Sequence, residues 1–147
     1  MTERAITVLL VEDNADHAEL TLRAFRNGRM LNAVHWVKDG EEALDFLYRR
    51  GRYAPPADAP RPGLILLDVQ LPKLDGYAVL RRVKGDESLR AIPLVMLTTS
   101  GDSVEIAASY AAGANGFVTK PVSFAEFVEC VRTIQLYWVL TNVAPDG

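Results

Sequence analysis

The sequence predicts an α/β fold, in which one sheet of five parallel strands is covered on both faces by five helices. Strand-like and helix-like segments alternate along the chain, which is typical of right-handed strand–helix–strand units. The run LILL at 64–67 is apolar without alternation, as expected of a strand buried on both faces of a parallel sheet. The 147 residues, 49% hydrophobic and 24% charged, fit one domain at 1–147.

Five short segments have the composition of buried strands and end at turn or cap residues. The predicted strands lie at 6–13, 33–37, within 64–76, at 92–100 and at 114–121. Pro72 ends the third of them, because proline cannot donate to a central strand ladder. Five strands in this alternation suit the flavodoxin-like order 2-1-3-4-5, in which ligands bind at the carboxyl ends of the strands.

After each strand, apolar residues recur with the spacing of an amphipathic helix. The predicted helices cover 14–28, 39–51, 75–89, 102–113 and 123–140. Asn14, Asp39 and Ser123 are predicted N-caps, because their side chains can accept hydrogen bonds from the first free N–H groups. Gly28 and Gly113 can end the first and fourth helices. The second helix has acids in its first turn and arginines in its last, which suits the helix dipole.

Two segments lie outside this alternation. Residues 52–63 contain four prolines and are predicted to form a surface loop without regular structure, whose role the sequence does not assign. Residues 136–147 are predicted to be a C-terminal helical extension of the domain.

Charge, cysteine content and the N-terminus exclude several classes of protein. A formal net charge of −3 argues against non-specific nucleic-acid binding, which needs clustered Lys and Arg. The single cysteine, Cys130, cannot form an internal disulfide and lies in an apolar helical pattern, which predicts a buried structural thiol. The N-terminal apolar run is too short for a signal peptide or a membrane span, so we expect a cytoplasmic protein that binds no membrane.

Polar residues follow four of the predicted strands at the point where each strand ends. They are Glu12 and Asp13, Asp68, Thr98, and Lys120. Taken singly, each is as well explained by a cap, a turn or a solvated side chain. Because the carboxyl ends of parallel strands meet at one edge of the sheet, we expect these groups to converge in one pocket. Three carboxylates there would repel one another unless a cation or a lysine neutralises them.

The ligand types at this edge predict the cation and the chemistry. Carboxylate oxygens without nearby cysteine or histidine suit Mg²⁺. His17 and His35 lie on the first helix and the second strand, and we assign them no ligand role. With Mg²⁺, an ammonium group and a hydroxyl around one carboxylate, the expected chemistry is phosphoryl transfer that forms an aspartyl phosphate. The sequence has no Gly-rich nucleotide loop, so another phosphoryl carrier is the expected donor.

Four segments resemble, in order, motifs of the response-regulator receiver domain (CheY-like) of two-component signalling: VLLVEDN, LILLDVQLPKLDG, PLVMLTTS and GANGFVTKP. The resemblance covers almost the whole chain. It implies that Asp68 accepts a phosphoryl group from a partner histidine kinase in a Mg²⁺-dependent reaction, and that a conformational switch carries the signal. It also implies a phosphoprotein that catalyses its own phosphorylation and dephosphorylation and is not otherwise an enzyme.

The resemblance also implies the ligands of the metal. Asp13, Asp68 and the backbone carbonyl of Gln70 would hold Mg²⁺, and Glu12 would act mainly through metal-bound water. The pair Glu12–Asp13 departs from the Asp–Asp pair of many family members.

Further residues of the site are implied in the same way. Lys120 would bind a phosphate oxygen, and the Lys120–Pro121 peptide bond would be cis. The Thr98 hydroxyl would move onto the phosphate, and Phe117 would rotate into the space it leaves, as a two-state packing switch. Phe117 stands where tyrosine is frequent in the family, so a readout through a phenolic hydroxyl is not expected.

Partners are predicted from weaker features. The proline-rich segment and the aromatic C-terminus further resemble regulators paired with bacterial phytochrome kinases, which implies such a kinase as partner. The last predicted helix carries more apolar residues than one sheet face requires, which fits either a completed core or a homodimer interface. We expect a homodimer through this helix and its neighbours. The apolar residues are Phe124, Phe127, Val131, Ile134, Tyr137, Trp138 and Val139.

Two other functions remain as alternatives. A phosphatase-type enzyme of similar architecture would also form an aspartyl phosphate, but such enzymes typically have an acid two residues after the nucleophile, where this chain has Gln70. An inert pseudo-receiver would only bind a partner, but it would not need the reactive set Asp13, Asp68, Thr98 and Lys120.

Overall fold

A computed structural model describes residues 7–27, 33–69, 71, 75–98, 103–119, 125–126, 129 and 132–133. Its five strands form one parallel sheet in the order β2-β1-β3-β4-β5, which confirms the predicted fold class and strand order. The strands are β1 Thr7–Val11, β2 Ala33–Val37, β3 Leu64–Asp68, β4 Leu94–Thr98 and β5 Gly116–Thr119. The helices are α1 Ala15–Asn27, α2 Gly40–Tyr48, α3 Gly76–Lys84 and α4 Ser103–Ala111.

The core consists of two clusters, one on each face of the sheet. Alternate residues of β1 enter different clusters: Leu9 and Val11 pack with α2 and α3, whereas Val8 and Leu10 pack with α1. All five residues of β3 are buried, as the unbroken apolar run predicts. The sheet is therefore covered on both faces.

The predicted N-caps in the described part of the chain are confirmed. The Asn14 side chain accepts hydrogen bonds from the N–H groups of Asp16 and His17, at 2.9 and 3.1 Å. The Asp39 side chain accepts one from the Glu42 N–H at 2.8 Å. These bonds satisfy backbone donors that the first helical turn leaves free. Gly28 and Ser123 lie outside the described residues.

Two helices end earlier than the sequence predicts. α2 ends at Tyr48, and Arg49 adopts the left-handed conformation with φ 54°, so the arginines lie beyond the last turn. The prediction that they complement the helix dipole from within that turn was wrong. α3 ends at Lys84 with Gly85 as C-cap, so the turn at 86–92 is not helix. In both places backbone N–H groups bond back to the last turn and stop the helix.

The start of the proline-rich segment is regular, contrary to prediction. Gly51–Tyr53 forms a 3-10 helix, and the Tyr53 ring packs edge-on against Phe46 of α2, with ring centroids 5.1 Å apart. The Tyr53 hydroxyl donates a hydrogen bond to Glu42 at 2.7 Å and lies 3.2 Å from Nε2 of His35. This aromatic anchor ties the first residues of the segment to α2 and β2. The prolines follow it, and the Pro55–Pro56 bond is cis.

The structure describes only a few residues of the C-terminal region. Residues 125–126, 129 and 132–133 are helical, in agreement with the predicted last helix. Cys130, the aromatic residues of that helix and residues 136–147 lie outside the described residues. Within the described part of the chain, no helix is long and apolar enough to cross a membrane.

Candidate functional site

Strand register aligns the predicted site residues along one edge of the sheet. Val11, the residue before Glu12, pairs with Leu67, the residue before Asp68. Asp68 in turn pairs with Leu97, the residue before Thr98. Glu12 and Asp68 therefore lie level with each other, and Thr98 lies one residue further along, at the carboxyl ends of three adjacent parallel strands. This is the position where sheets of this type bind ligands.

Three carboxylates converge at this edge. Oxygen atoms of Glu12, Asp13 and Asp68 all lie within 4.8 Å of one another, which confirms that the predicted acids meet. Glu12 and Asp68 are 1% and 8% exposed, whereas Asp13 is exposed. Two acids thus form a buried floor and the third lies on the solvent side. Like charges at this separation are costly without positive charge nearby, so the cluster favours a bound cation.

The loop between β1 and α1 holds the first two acids. The Glu12 N–H donates to the Val37 carbonyl at 3.1 Å, and the Asn14 N–H donates to Glu12 Oε2 at 3.2 Å. The indole N–H of Trp36 donates to the Glu12 carbonyl at 2.7 Å. This contact of Trp36 was not predicted from the sequence. The parallel pairing of β1 with β2 was the available signal, because it places Trp36 beside Leu10, two residues before Glu12.

The start of α3 lies against the backbone of Asp68. A Cβ on Gly76 would be 2.2 Å from the Asp68 carbonyl oxygen, closer than any real contact, so only glycine fits there. The Gly76 N–H donates to the Val69 carbonyl at 3.1 Å, and the Asp75 side chain caps the helix by accepting from the Ala78 N–H. The helix and strand thus approach so closely that the backbone around Asp68 has little freedom. Gly76 was predicted to lie at the start of the helix, but its close contact with Asp68 was not predicted.

The other predicted site residues are described in part. Thr98 ends β4 beside Thr119 of β5, and its backbone lies at the acidic edge, while its side chain is outside what the structure describes. Phe117 is half-buried in β5, pairs with Met96 and packs against the larger core cluster. Gln70, Lys120 and Pro121 lie outside the described residues.

The donor set fits a hard divalent cation. All three converging side chains offer carboxylate oxygens, and neither His17 in α1 nor His35 in β2 belongs to the group. Oxygen-only donors of this kind suit Mg²⁺ or Mn²⁺ and disfavour zinc, which prefers nitrogen and sulfur. The arrangement can bind a divalent cation next to a fixed carboxylate, as phosphoryl transfer to that carboxylate requires.

Comparison with known proteins gives a family match over most of the chain. Residues 8–132 match the sequence model of the response regulator receiver domain. The probable methanogenesis regulatory protein FilR2 of Methanothrix harundinacea is 39% identical over 143 residues, which cover 97% of this chain and 90% of that protein. The matched region thus contains the acid cluster and every strand that positions it.

Two solved structures have the same fold at close similarity. The Mn²⁺-bound form of response regulator Rcp1, a protein of Synechocystis, has a TM-score of 0.87 and 34% identity, covering 95% of this chain and 99% of that one. The phosphorylated cyanobacterial phytochrome response regulator RcpA has a TM-score of 0.90 and 37% identity, covering 97% and 100% of the two chains.

Proposed function

Since this chain belongs to the response regulator receiver domain family, and is thus a response regulator of a phosphorelay, we propose that Asp68 is its phosphoacceptor. Receiver domains accept phosphoryl groups from histidine kinases. The observation that carries the proposal is the position of Asp68 at the end of a fully buried strand, within 4.8 Å of two further acids. A rigidly held carboxylate beside a cation site is the arrangement that in-line attack on phosphorus needs.

The proposed step is an exchange of bonds at phosphorus. An Asp68 carboxylate oxygen attacks the phosphorus of a phosphohistidine, a bond from oxygen to phosphorus forms, and the phosphorus–nitrogen bond breaks. The imidazole leaves and takes a proton from solvent. Hydrolysis reverses the modification, because water attacks the phosphorus and releases inorganic phosphate, which restores the carboxylate. A water molecule is thus consumed once per cycle, and Asp68 is regenerated.

The proposed cation is Mg²⁺. Receiver domains bind a divalent metal, as the Mn²⁺-bound form of Rcp1 illustrates, and the acids of this chain could hold one. Asp13, Asp68 and the Gln70 carbonyl would be its direct ligands, with Glu12 acting mainly through water. When bound, Mg²⁺ supplies positive charge that offsets the charge on the phosphoryl oxygens.

Three further residues complete the proposed cycle. Lys120 would bind a phosphate oxygen, with a cis peptide bond before Pro121. The Thr98 hydroxyl would move onto the phosphate and Phe117 would rotate inward. The half-buried position of Phe117 against the larger core cluster supports this switch, because a ring there can gain burial when it turns.

Intact-mass measurement after incubation with acetyl phosphate and Mg²⁺ tests the proposal. The wild type is expected to gain one phosphoryl group, Asp68→Asn none, and the wild type in EDTA none. Asp58→Asn, at an exposed position in the proline-rich segment, is the matched control and should be modified like the wild type. Equal modification of Asp68→Asn, or none of the wild type, would refute the assignment.

We further propose a bacterial phytochrome kinase as the phosphoryl donor. The support is the likeness to RcpA, which is named a phytochrome response regulator, together with the proline-rich segment. Transfer from a radiolabelled phytochrome kinase should be faster than from an unrelated histidine kinase at equal concentration. Equal rates would contradict this partner.

The proposed location of the reaction is the cytoplasm.

A homodimer is the proposed assembly, through the last predicted helix and its neighbours. The apolar residues of that helix in the sequence support it, as do the exposed side chains of Val104 and Tyr110 in neighbouring α4, at 75% and 51% exposure. Sedimentation velocity with and without beryllofluoride tests this assembly. A monomer in both conditions at micromolar concentration would refute it.

A further inference from the structure

Glu12 is held by β2 through both of its backbone polar groups. Its N–H donates to the Val37 carbonyl at 3.1 Å, and its carbonyl accepts from the indole N–H of Trp36 at 2.7 Å. The regular pairing of β1 with β2 ends one residue earlier, at Val11. The Trp36 side chain therefore continues the pairing past the end of the strand, with an indole N–H in place of a backbone amide.

Trp36 is well placed to act as a fixed donor. Its backbone pairs with Leu10 in the sheet, and its ring is half-buried against the smaller core cluster. The Lys38 ammonium lies 5.7 Å from the centroid of the ring. A tryptophan side chain has only two rotatable bonds, so a ring packed in this way loses little further freedom when its N–H binds. The distance of 2.7 Å is that of a well-formed hydrogen bond.

The bond to the Glu12 carbonyl constrains the next residue. The carbonyl of Glu12 and the N–H of Asp13 belong to one planar peptide unit, so fixing the carbonyl oxygen fixes the plane from which the Asp13 side chain projects. Asp13 is exposed and lies on the solvent side of the acid cluster. The direction in which its carboxylate projects therefore depends on the orientation of this peptide unit.

We propose that Trp36 is a positioning residue for the metal site: its indole N–H orients the peptide between Glu12 and Asp13, and thereby the Asp13 carboxylate. This inference rests on the proposed cation site at the acid cluster. A ligand held in the binding geometry before the cation arrives loses less entropy on binding, so the cation binds more tightly. Trp36 thus contributes to metal affinity without touching the metal.

Calorimetric titration with Mg²⁺ and with Mn²⁺ tests this role. Trp36→Phe keeps an aromatic ring and removes the donor, and we expect it to weaken the affinity for both ions by roughly three- to tenfold, as loss of one hydrogen bond predicts. The matched control is Val34→Ala, on the same face of β2 and against the same core cluster. It should lower the melting temperature and leave the metal affinity within about twofold of wild type.

A second variant separates the hydrogen bond from packing. In a Trp138→Phe background, Trp36 is replaced by an analogue with sulfur in place of the indole N–H, which keeps the ring shape. The analogue should bind the cations more weakly than tryptophan in the same background. Equal affinity of the analogue and tryptophan overturns the positioning role, even if Trp36→Phe fails to fold. If wild type and all variants bind no cation, the metal-site proposal fails as well, which distinguishes the two failures.

Discussion

Two polar clusters lie at opposite edges of the same sheet and are built on different rules. At the carboxyl edge, Glu12, Asp13 and Asp68 bring charges of one sign within 4.8 Å. At the amino edge, the Lys84 ammonium donates to three acceptors: the carbonyls of Arg90 and Ile92 and the side-chain oxygen of Asn115, at 2.8 to 2.9 Å.

This difference distinguishes the Lys84 ammonium, which stabilises the fold, from the three carboxylates, which we propose bind a ligand. Lys84 has acceptors for all three of its N–H groups within the protein, so it joins α3 to the starts of β4 and β5. Partial burial lowers its pKa below the usual value, but the three acceptors keep the ammonium satisfied. The carboxylates of the acid cluster instead repel one another, and we propose that a cation from solution completes the cluster. Substitutions in the acid cluster should therefore weaken metal binding without lowering stability. Substitution of Lys84 should lower stability without affecting the metal site.

The largest expected effect is on metal affinity at the acid cluster. Asp13→Asn removes an exposed charge and a proposed direct ligand, so the dissociation constant for Mg²⁺ should rise by roughly a hundredfold, since loss of even an outer partner of a metal ligand weakens binding by about ten- to a hundredfold. In the absence of metal, the free energy of unfolding should not fall. It should rise by up to about 1 kcal/mol, because the carboxylates repel one another less. Calorimetry and urea titration measure the two quantities. Asp16→Asn, on an exposed acid in the first turn of α1, should change neither by much.

Lys84→Met should have the converse effect. It leaves two backbone carbonyls and Asn115 without their charged donor, and the free energy of unfolding should fall by about 2 kcal/mol. Phosphorylation by acetyl phosphate should proceed at the wild-type rate in buffer that keeps the variant folded. Arg81→Met, on the exposed face of the same helix, is the control and should stay within about 0.5 kcal/mol of wild type. A loss of phosphorylation with unchanged stability would contradict the separation of the two clusters.

Ser109 of α4 is a buried polar group that belongs to neither cluster. It is 0% exposed, and its hydroxyl has no hydrogen-bond partner among the residues the structure describes. Ser109→Ala removes that unsatisfied group and favours helix, so the free energy of unfolding should rise by about 0.5 to 1 kcal/mol. Ala108→Ser, at an exposed position on the same helix, should lower it slightly. Destabilisation by Ser109→Ala would imply a partner for the hydroxyl.

The smallest expected effect is a dependence of stability on pH at His35. Burial lowers the pKa of His35 below its usual 6.5, so the neutral ring is favoured in the folded protein. Its contribution to stability is complete above pH 6.5 and is lost as the pH falls through the folded value. In urea titrations, the free energy of unfolding should fall less between about pH 7.5 and about pH 5.5 for His35→Gln than for wild type. An equal loss would assign the dependence to other groups.

The neighbouring phenol gives the half-buried His35 ring a hydrogen-bond partner. The Tyr53 hydroxyl donates to Glu42, which leaves its oxygen to accept a hydrogen bond from Nε2–H of His35. Burial and the bond to Glu42 raise the pKa of Tyr53 to about 12, so the phenol remains protonated throughout this range. This small network resembles the Lys84 cluster, since its polar groups are satisfied within the protein.

The sequence predicted the sheet and the acids well because both follow from local rules. Buried strands appear as apolar runs, and parallel topology places their carboxyl ends together, so Glu12, Asp13 and Asp68 could be grouped without coordinates. The ends of α2 and α3 were predicted too far along the chain, because Arg49 and Gly85 stop these helices through backbone bonds that no apolar pattern encodes. Proline content also hid the 3-10 turn at Gly51–Tyr53, which an aromatic contact holds.

Trp36 and Gly76 were missed as site residues for a different reason. Their roles depend on approach between segments distant in the chain: an indole 2.7 Å from the Glu12 carbonyl, and a helix start pressed against Asp68. Such contacts can be predicted only when the register of neighbouring elements is known. That register can be inferred only after the topology is known. The switch roles of Thr98 and Phe117 remain predictions.

Borohydride reduction followed by peptide sequencing tests the central claim most directly. Borohydride converts an acyl phosphate on aspartate to homoserine, so it marks the residue that carried the phosphoryl group. After treatment with acetyl phosphate and Mg²⁺, homoserine is predicted at position 68 and nowhere else, and none in EDTA. A reduced residue at Asp13 or Glu12, or no reduced residue in a protein whose mass shows phosphorylation, would contradict the assignment of Asp68.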